Sequence, residues 1–139
     1  MILILKDRFL KLLFFLFFLF ISFHVFSLYA SLYWKLLWLD ALMHLLGGTL
    51  VGAFFIWWGY FSGKLDLPKN STLFLVVFTL GGVALVGVLW EFYEFVIDKL
   101  VTKDNHISIF QPGLVDTLQD LFLDLVGGLL VGLKFLFKK

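Results

Sequence analysis

This chain predicts an all-α polytopic membrane protein, four transmembrane helices in a bundle. Three observations carry that prediction: 62% of the 139 residues are hydrophobic, mean hydropathy is +1.03, and only 15% of residues are charged. A water-soluble domain of this length has no core large enough for nineteen Phe and five Trp, so lipid must supply the burial. The net charge of +1 and the lack of a long basic block exclude nucleic acid as a partner. Zero Cys removes disulfides, thiolate metal ligation and cysteine nucleophiles together. Neither a Gly-rich phosphate loop nor a Gly-x-Ser-x-Gly elbow is present.

A bilayer core about 30 Å thick needs roughly 20 apolar residues per helix, and four stretches meet that need, at about 9–33, 36–61, 72–97 and 116–137, within a single membrane domain spanning 1–139. Polar and turn-forming residues separate them: Tyr33-Trp34-Lys35, then 62–71 with Pro68, then Asp98 to Val115 with Pro112-Gly113. Lys6-Asp7-Arg8 leads into a Phe/Leu run longer than a signal-peptide core, so the first span reads as an uncleaved anchor. Asn70-Ser-Thr matches a glycosylation sequon but reads as the N-cap of the third span.

A cytoplasmic N-terminus gathers Lys6, Arg8, Lys11, Lys64, Lys69, Lys134, Lys138 and Lys139 inside, against Lys35, Lys99 and Lys103 outside. The positive-inside rule then predicts a multi-pass protein of the cytoplasmic (plasma) membrane with both termini in the cytoplasm. Trp34, Trp38, Trp90 and Tyr93 fall at the outer interface, with Trp57, Trp58 and Tyr60 at the inner one, as an aromatic belt requires.

This topology collects the polar residues in the outer half. Asp40 and His44 lie early in span 2, Glu91 and Glu94 late in span 3, and Asp116, Asp120 and Asp124 early in span 4. Spacings of three and four residues put each set on one helix face. His24 in span 1 lies at similar depth and reads as a packing histidine or as a fourth contributor. Six carboxylates meet no Lys or Arg inside the outer half of any span, and crowded acids in low dielectric must hold protons or bind cations. Carboxylates with an imidazole on facing helices are how four-helix bundles hold hard or borderline divalent ions. The expected metal ligands are Asp40, His44, Glu91, Glu94, Asp120 and Asp124, around Mg, Mn or Zn, with Glu91, Glu94 and Asp120 also the expected catalytic residues. Shared protons and a purely structural polar network are the other two readings.

The segment from Asp40 to Gly52 aligns with that from Asp120 to Gly132 at an offset of 80 residues, matching the acid, the second polar position and three glycines. Spans 1–2 and 3–4 are therefore candidate parallel repeats, and the glycines are expected to let spans 2 and 4 approach closely. Gly81, Gly82 and Gly87 are expected to do the same for span 3.

Asp40-x-x-x-His44, Trp90-Glu91-x-x-Glu94, and Pro112-Gly113 followed by Asp120, Asp124 and Gly127 together resemble the VanZ-like membrane proteins, in their YjdF-type branch. The resemblance covers about residues 36–135 and lies in spacing. Relatives of that kind commonly carry Lys, Gln, Arg and Asn where this chain has Ala41, Glu94, Leu114 and Asp124, so two cations are lost and two acids gained. The family's association with low-level teicoplanin resistance implies action at the outer envelope surface. Its departures here favour a cation over an anionic ligand.

Three functions follow. The first is a metal-dependent hydrolase or transferase acting on a lipid or lipid-linked envelope precursor, with Glu94 or His106 as acid or base. The second is a small cation or proton transporter or binding subunit, disfavoured because the inner halves hold little polar beyond Thr49 and Thr79. The third is a membrane assembly protein without chemistry of its own. The lipid bilayer is the one partner all three share.

Overall fold

The computed structural model describes residues 2–65, 67, 68, 71–101 and 113–137. Among them there is no strand, and the chain is a polytopic membrane helical bundle. Its elements are α1 (Ile2–Tyr29), α2 (Leu32–Lys35), α3 (Leu39–Ile56) continued by a π-helical turn (Trp57–Phe61), α4 (Thr72–Val101) and α5 (Leu114–Leu136).

Local chemistry fixes the boundaries. The first helix stops at Tyr29, short of the expected 33, because Ser31 takes a left-handed conformation (φ 56°), which ends the helical hydrogen-bond run. Lys35 then donates its Nζ to the Ala30 carbonyl at 2.9 Å. Ser71 starts α4 by accepting the Phe74 N–H at 3.1 Å, an N-cap within the expected tripeptide, while Asn70 lies outside the described residues. Gly113 (φ 152°, ψ −179°) starts α5 from a backbone region open in practice to glycine.

By length and apolarity three segments qualify to cross a membrane: Arg8–Tyr29, Leu39–Phe61 and Thr72–Leu100. α5 is long enough, at about 34 Å for its 23 residues, but carries Asp116, Asp120 and Asp124 in its first half. Those acids reduce its hydropathy without making it a surface helix. Asp120 and Asp124 are buried together with Gly127, Gly128 and Gly132.

The core lies between α3, α4 and α5. α3 and α5 run parallel: His44 lies beside Asp124, Gly52 beside Gly128 and Val131, and the Tyr60 and Phe135 rings are 5.7 Å apart. A Cβ at Gly48 would collide with the Asp124 carbonyl, and one at Gly127 with the Leu45 carbonyl, so these glycines set the close approach. α4 crosses antiparallel to both, with Phe78 against Phe55 at one end and Gly87 against Asp124 at the other. Gly82 sits against the Phe55 ring, whereas a Cβ at Gly81 or at the buried Gly132 would meet nothing within 4 Å, so neither of these two sets a close approach.

α1 packs against α2, α3 and the π turn, and makes no close approach to α5. The segments matched in the 80-residue repeat, 40–52 and 120–132, lie side by side on α3 and α5. Phe14, Phe15 and Phe18 on α1 remain exposed, which in a membrane means facing acyl chains. At the end away from the acids, the gap between α1 and α5 leaves an apolar groove of about 600 Å³, with Lys134 at its margin.

Candidate functional site

The C-terminal ends of α1 and α4 and the N-terminal ends of α3 and α5 meet at one end of the bundle, where α2 packs on α1 and α3. His44, Glu91, Glu94, Asp120 and Asp124 are all buried there, and Asp40 is half-buried in the first turn of α3. His44 is the hub. Its Nδ1–H faces Asp124 Oδ2 at 3.4 Å, and its Nε2 lies 4.0 Å from Asp120 Oδ2.

Two sets of donor atoms converge on this ring. One atom each from Asp40, His44 and Asp120 lie within 4.8 Å of one another, and so do one each from His44, Glu91 and Glu94. Asp124 belongs to neither set and occupies the opposite nitrogen. Asp116, half-buried one turn before Asp120, also stands outside both.

The seat of Asp124 depends on glycines from two helices. A Cβ added at Gly87 would lie 2.6 Å from its Oδ2, and Gly48 makes room for its main chain. Glu94 is oriented from its own helix, where the Trp90 Nε1–H donates to its Oε1 at 2.9 Å. Asp120 is held differently. It is 1% exposed and its Oδ1 has no hydrogen-bond partner among the described residues.

Little positive charge reaches the cluster. Of the lysines described at this end, Lys35 is engaged by the Ala30 carbonyl and Lys99 lies 5.4 Å above the Phe95 ring centroid.

Beside the acids a cavity of about 90 Å³ opens between α1, α3 and α4. His24, Tyr33, Asp40, His44, Glu94 and Asp124 line its polar part, and Phe17, Phe20, Val51 and Val83 are among its apolar walls. His24 Nδ1 and Tyr33 Oη are 2.7 Å apart, and the His24 ring packs edge-on against Trp90 with centroids 5.2 Å apart. Burial, then the carboxylates of Asp40 and Glu94, pushes the Tyr33 phenol well above its ordinary pKa, so it keeps its proton.

Three of these placements differ from the sequence expectation. Trp90, expected in an interfacial belt, turns inward to hold Glu94 and His24. Tyr33, expected in a break between spans, lines the cavity. Asp98, assigned to the loop, lies on α4 and is buried. His106 lies outside the described residues. The i, i+4 spacing of Trp90 and Glu94 on one helix was a readable signal for their contact; nothing local pairs Tyr33 with His24.

No solved structure matches the chain. A Thermotoga maritima protein described as an uncharacterized protein is 32% identical over 110 residues, covering 74% of this chain and 50% of that one. The chain thus spans about half the length of that relative. The family profile that matches covers residues 3–138, nearly the whole chain. The chain belongs to the family described as predicted membrane protein (DUF2238).

Proposed function

We propose that this membrane protein binds one divalent cation at the His44 hub and uses it on a lipid or lipid-linked substrate at the outer face of the cytoplasmic membrane. The observation that carries the reading is the unpartnered Oδ1 of Asp120, a carboxylate oxygen in a residue 1% exposed. An ionised carboxylate in such a place costs several kcal/mol unless a cation or a proton meets it. The 4.0 Å between His44 Nε2 and Asp120 Oδ2 is within the reach of two nearly opposite ligands of one ion bound at about 2.1 Å.

In this reading Asp40, His44 and Asp120 hold the ion, and Glu91 and Glu94, the second set around the same imidazole, stand beside it. One nitrogen among carboxylate oxygens suits Mg, Mn or Zn. Asp124 acts through His44. By accepting the Nδ1–H it fixes the tautomer that leaves Nε2 free to ligate, the usual partnership of a metal-bound imidazole. That role replaces the direct ligation expected of Asp124 from sequence. A bound ion would polarise an ester or phosphoryl oxygen or activate water, and Glu94, oriented by Trp90, is the proposed acid or base.

The four-span layout, the orientation with both termini in the cytoplasm, and the VanZ-like, YjdF-type likeness belong to the same proposal. Their support is the lysine distribution and the polar spacing. The transporter reading has no comparable support: in the other half of the bundle Thr49 hydrogen-bonds the Leu45 carbonyl on its own helix, and the groove there is apolar.

Elemental analysis of protein purified at neutral pH tests the reading. Near one equivalent of metal is expected in the wild type and little in an Asp120→Asn, Asp124→Asn double variant. Metal-free wild type that takes up none of Mg, Mn or Zn would end it.

A further inference from the structure

His24 is 7% exposed, yet its Nε2 is buried with no partner among the described residues. The tautomer follows from its neighbour. Tyr33 keeps its phenolic proton, and His24 Nδ1 is its only hydrogen-bond partner among the described residues, at 2.7 Å. A phenol O–H is a stronger donor than a neutral imidazole N–H, and an imidazole nitrogen a stronger acceptor than a phenol oxygen. Tyr33 O–H therefore donates to Nδ1, and the single proton of the neutral imidazole stands on Nε2. The result is a buried donor without an acceptor, a costly state that a ligand oxygen relieves.

The cavity defines what brings that oxygen. About 90 Å³ is room for about six water-sized groups, too small for a soluble substrate of any size but enough for one compact polar head. Its remaining wall is apolar, with Phe17, Phe20 and Val83 leading toward the lipid-facing helix α1. One polar end and a hydrocarbon wall match an amphiphile. Carboxylates at the same end would repel a bare anion, so an oxyanion enters only with the cation in place, and the inference rests on the cation reading above. A tetrahedral phosphoryl group fits both demands, since one oxygen can face the ion while another meets His24.

We propose that His24 and Tyr33 form the oxygen-binding arm of the site: His24 Nε2–H donates to a phosphoryl oxygen of a phosphate-headed lipid lying in this cavity. Tyr33 is a positioning residue in this arrangement, holding the ring in the donor tautomer. Trp90 serves both arms, bracing the His24 ring with its indole and Glu94 with its N–H.

The test uses the full chain in detergent micelles with ¹⁵N-labelled histidine. Long-range ¹H–¹⁵N correlation reads the tautomer directly, and a proton on Nδ1 of His24 in the wild type overturns the proposal whatever the metal does. Titration with dihexanoyl phosphatidic acid, with and without Mg²⁺, is expected to shift His24 Nε2 only when Mg²⁺ is present. Inorganic phosphate is the second probe. A shift with both probes places recognition in the phosphate alone, a shift with the lipid only requires the chain as well, and a shift with phosphate but not lipid removes the amphiphile from the proposal.

His24→Phe is expected to weaken lipid binding about tenfold, the worth of one hydrogen bond to a charged acceptor, while Mg²⁺ affinity measured by calorimetry is retained. Tyr33→Phe is the milder variant, and loss of the Nε2–H signal there supports the positioning role even if His24→Phe fails to fold. Mg²⁺ binding with no lipid or phosphate response overturns this inference and leaves the cation reading standing. Lipid binding without any Mg²⁺ binding ends the cation reading and, with it, this inference, and so does the absence of binding of either kind.

Discussion

His44 and Asp124 stand 80 residues apart in sequence and meet with Nδ1 and Oδ2 3.4 Å apart. Eighty is also the offset of the internal repeat, so the two side chains are equivalent positions of α3 and α5 that face one another. One position became an imidazole and the other a carboxylate. A symmetric pair of acids would repel; the His and Asp attract and define which ring nitrogen points at Asp120.

Asp124→Asn tests that division of labour. The amide can still occupy the space but no longer requires the Nδ1–H tautomer. Metal affinity measured by calorimetry should fall about 10-fold to 100-fold, the usual cost of losing a partner behind a ligating histidine. Retention of wild-type affinity would remove Asp124 from the site.

Asp120→Asn separates a cation site from a structural polar network by the sign of a stability change. In metal-free protein the substitution removes a like charge from a crowded cluster, so thermal unfolding in detergent should move to higher temperature. Added metal should stabilise the wild type, by about 2.7 kcal/mol at a hundred times Kd, and leave the variant nearly unmoved. A destabilised, metal-insensitive variant would favour the structural network.

Proton competition gives a pH sign. The ligands must be deprotonated to hold an ion, so metal binding releases protons and the apparent affinity should rise with pH. Isothermal titrations in buffers of differing ionisation enthalpy count those protons, and a pH-independent affinity would speak against ligation by His44.

The glycines provide an internal control. Gly48→Ala drives a Cβ into the Asp124 carbonyl, a backbone that cannot rotate away, and should cost about 2 kcal/mol or more in unfolding measurements. Gly87→Ala presses on Asp124 Oδ2 from 2.6 Å and should weaken metal binding more than stability. Gly81→Ala meets open space on a helix and should be neutral or slightly stabilising.

Orientation can be read cleanly because the chain has no cysteine. A membrane-impermeant thiol reagent applied to intact cells should label Leu37→Cys, a position 86% exposed at the acidic end, and spare Lys64→Cys at the opposite end. The reverse pattern would move the site to the cytoplasmic side.

The sequence by itself determined the helices, the membrane environment, and which residues share a face, because hydropathy and the 3.6-residue period are properties of one segment at a time. It therefore brought Asp40 with His44, Glu91 with Glu94, and Asp120 with Asp124. Tertiary structure decided what those faces meet. The depth at which α3 and α5 cross is fixed by main-chain contact at Gly48 and Gly127, and only that register sets His44 between Asp120 and Asp124 rather than a turn above or below. The same holds for His24 with Tyr33, where a left-handed Ser31 folds α2 back over the end of α1, a reversal that no periodicity announces.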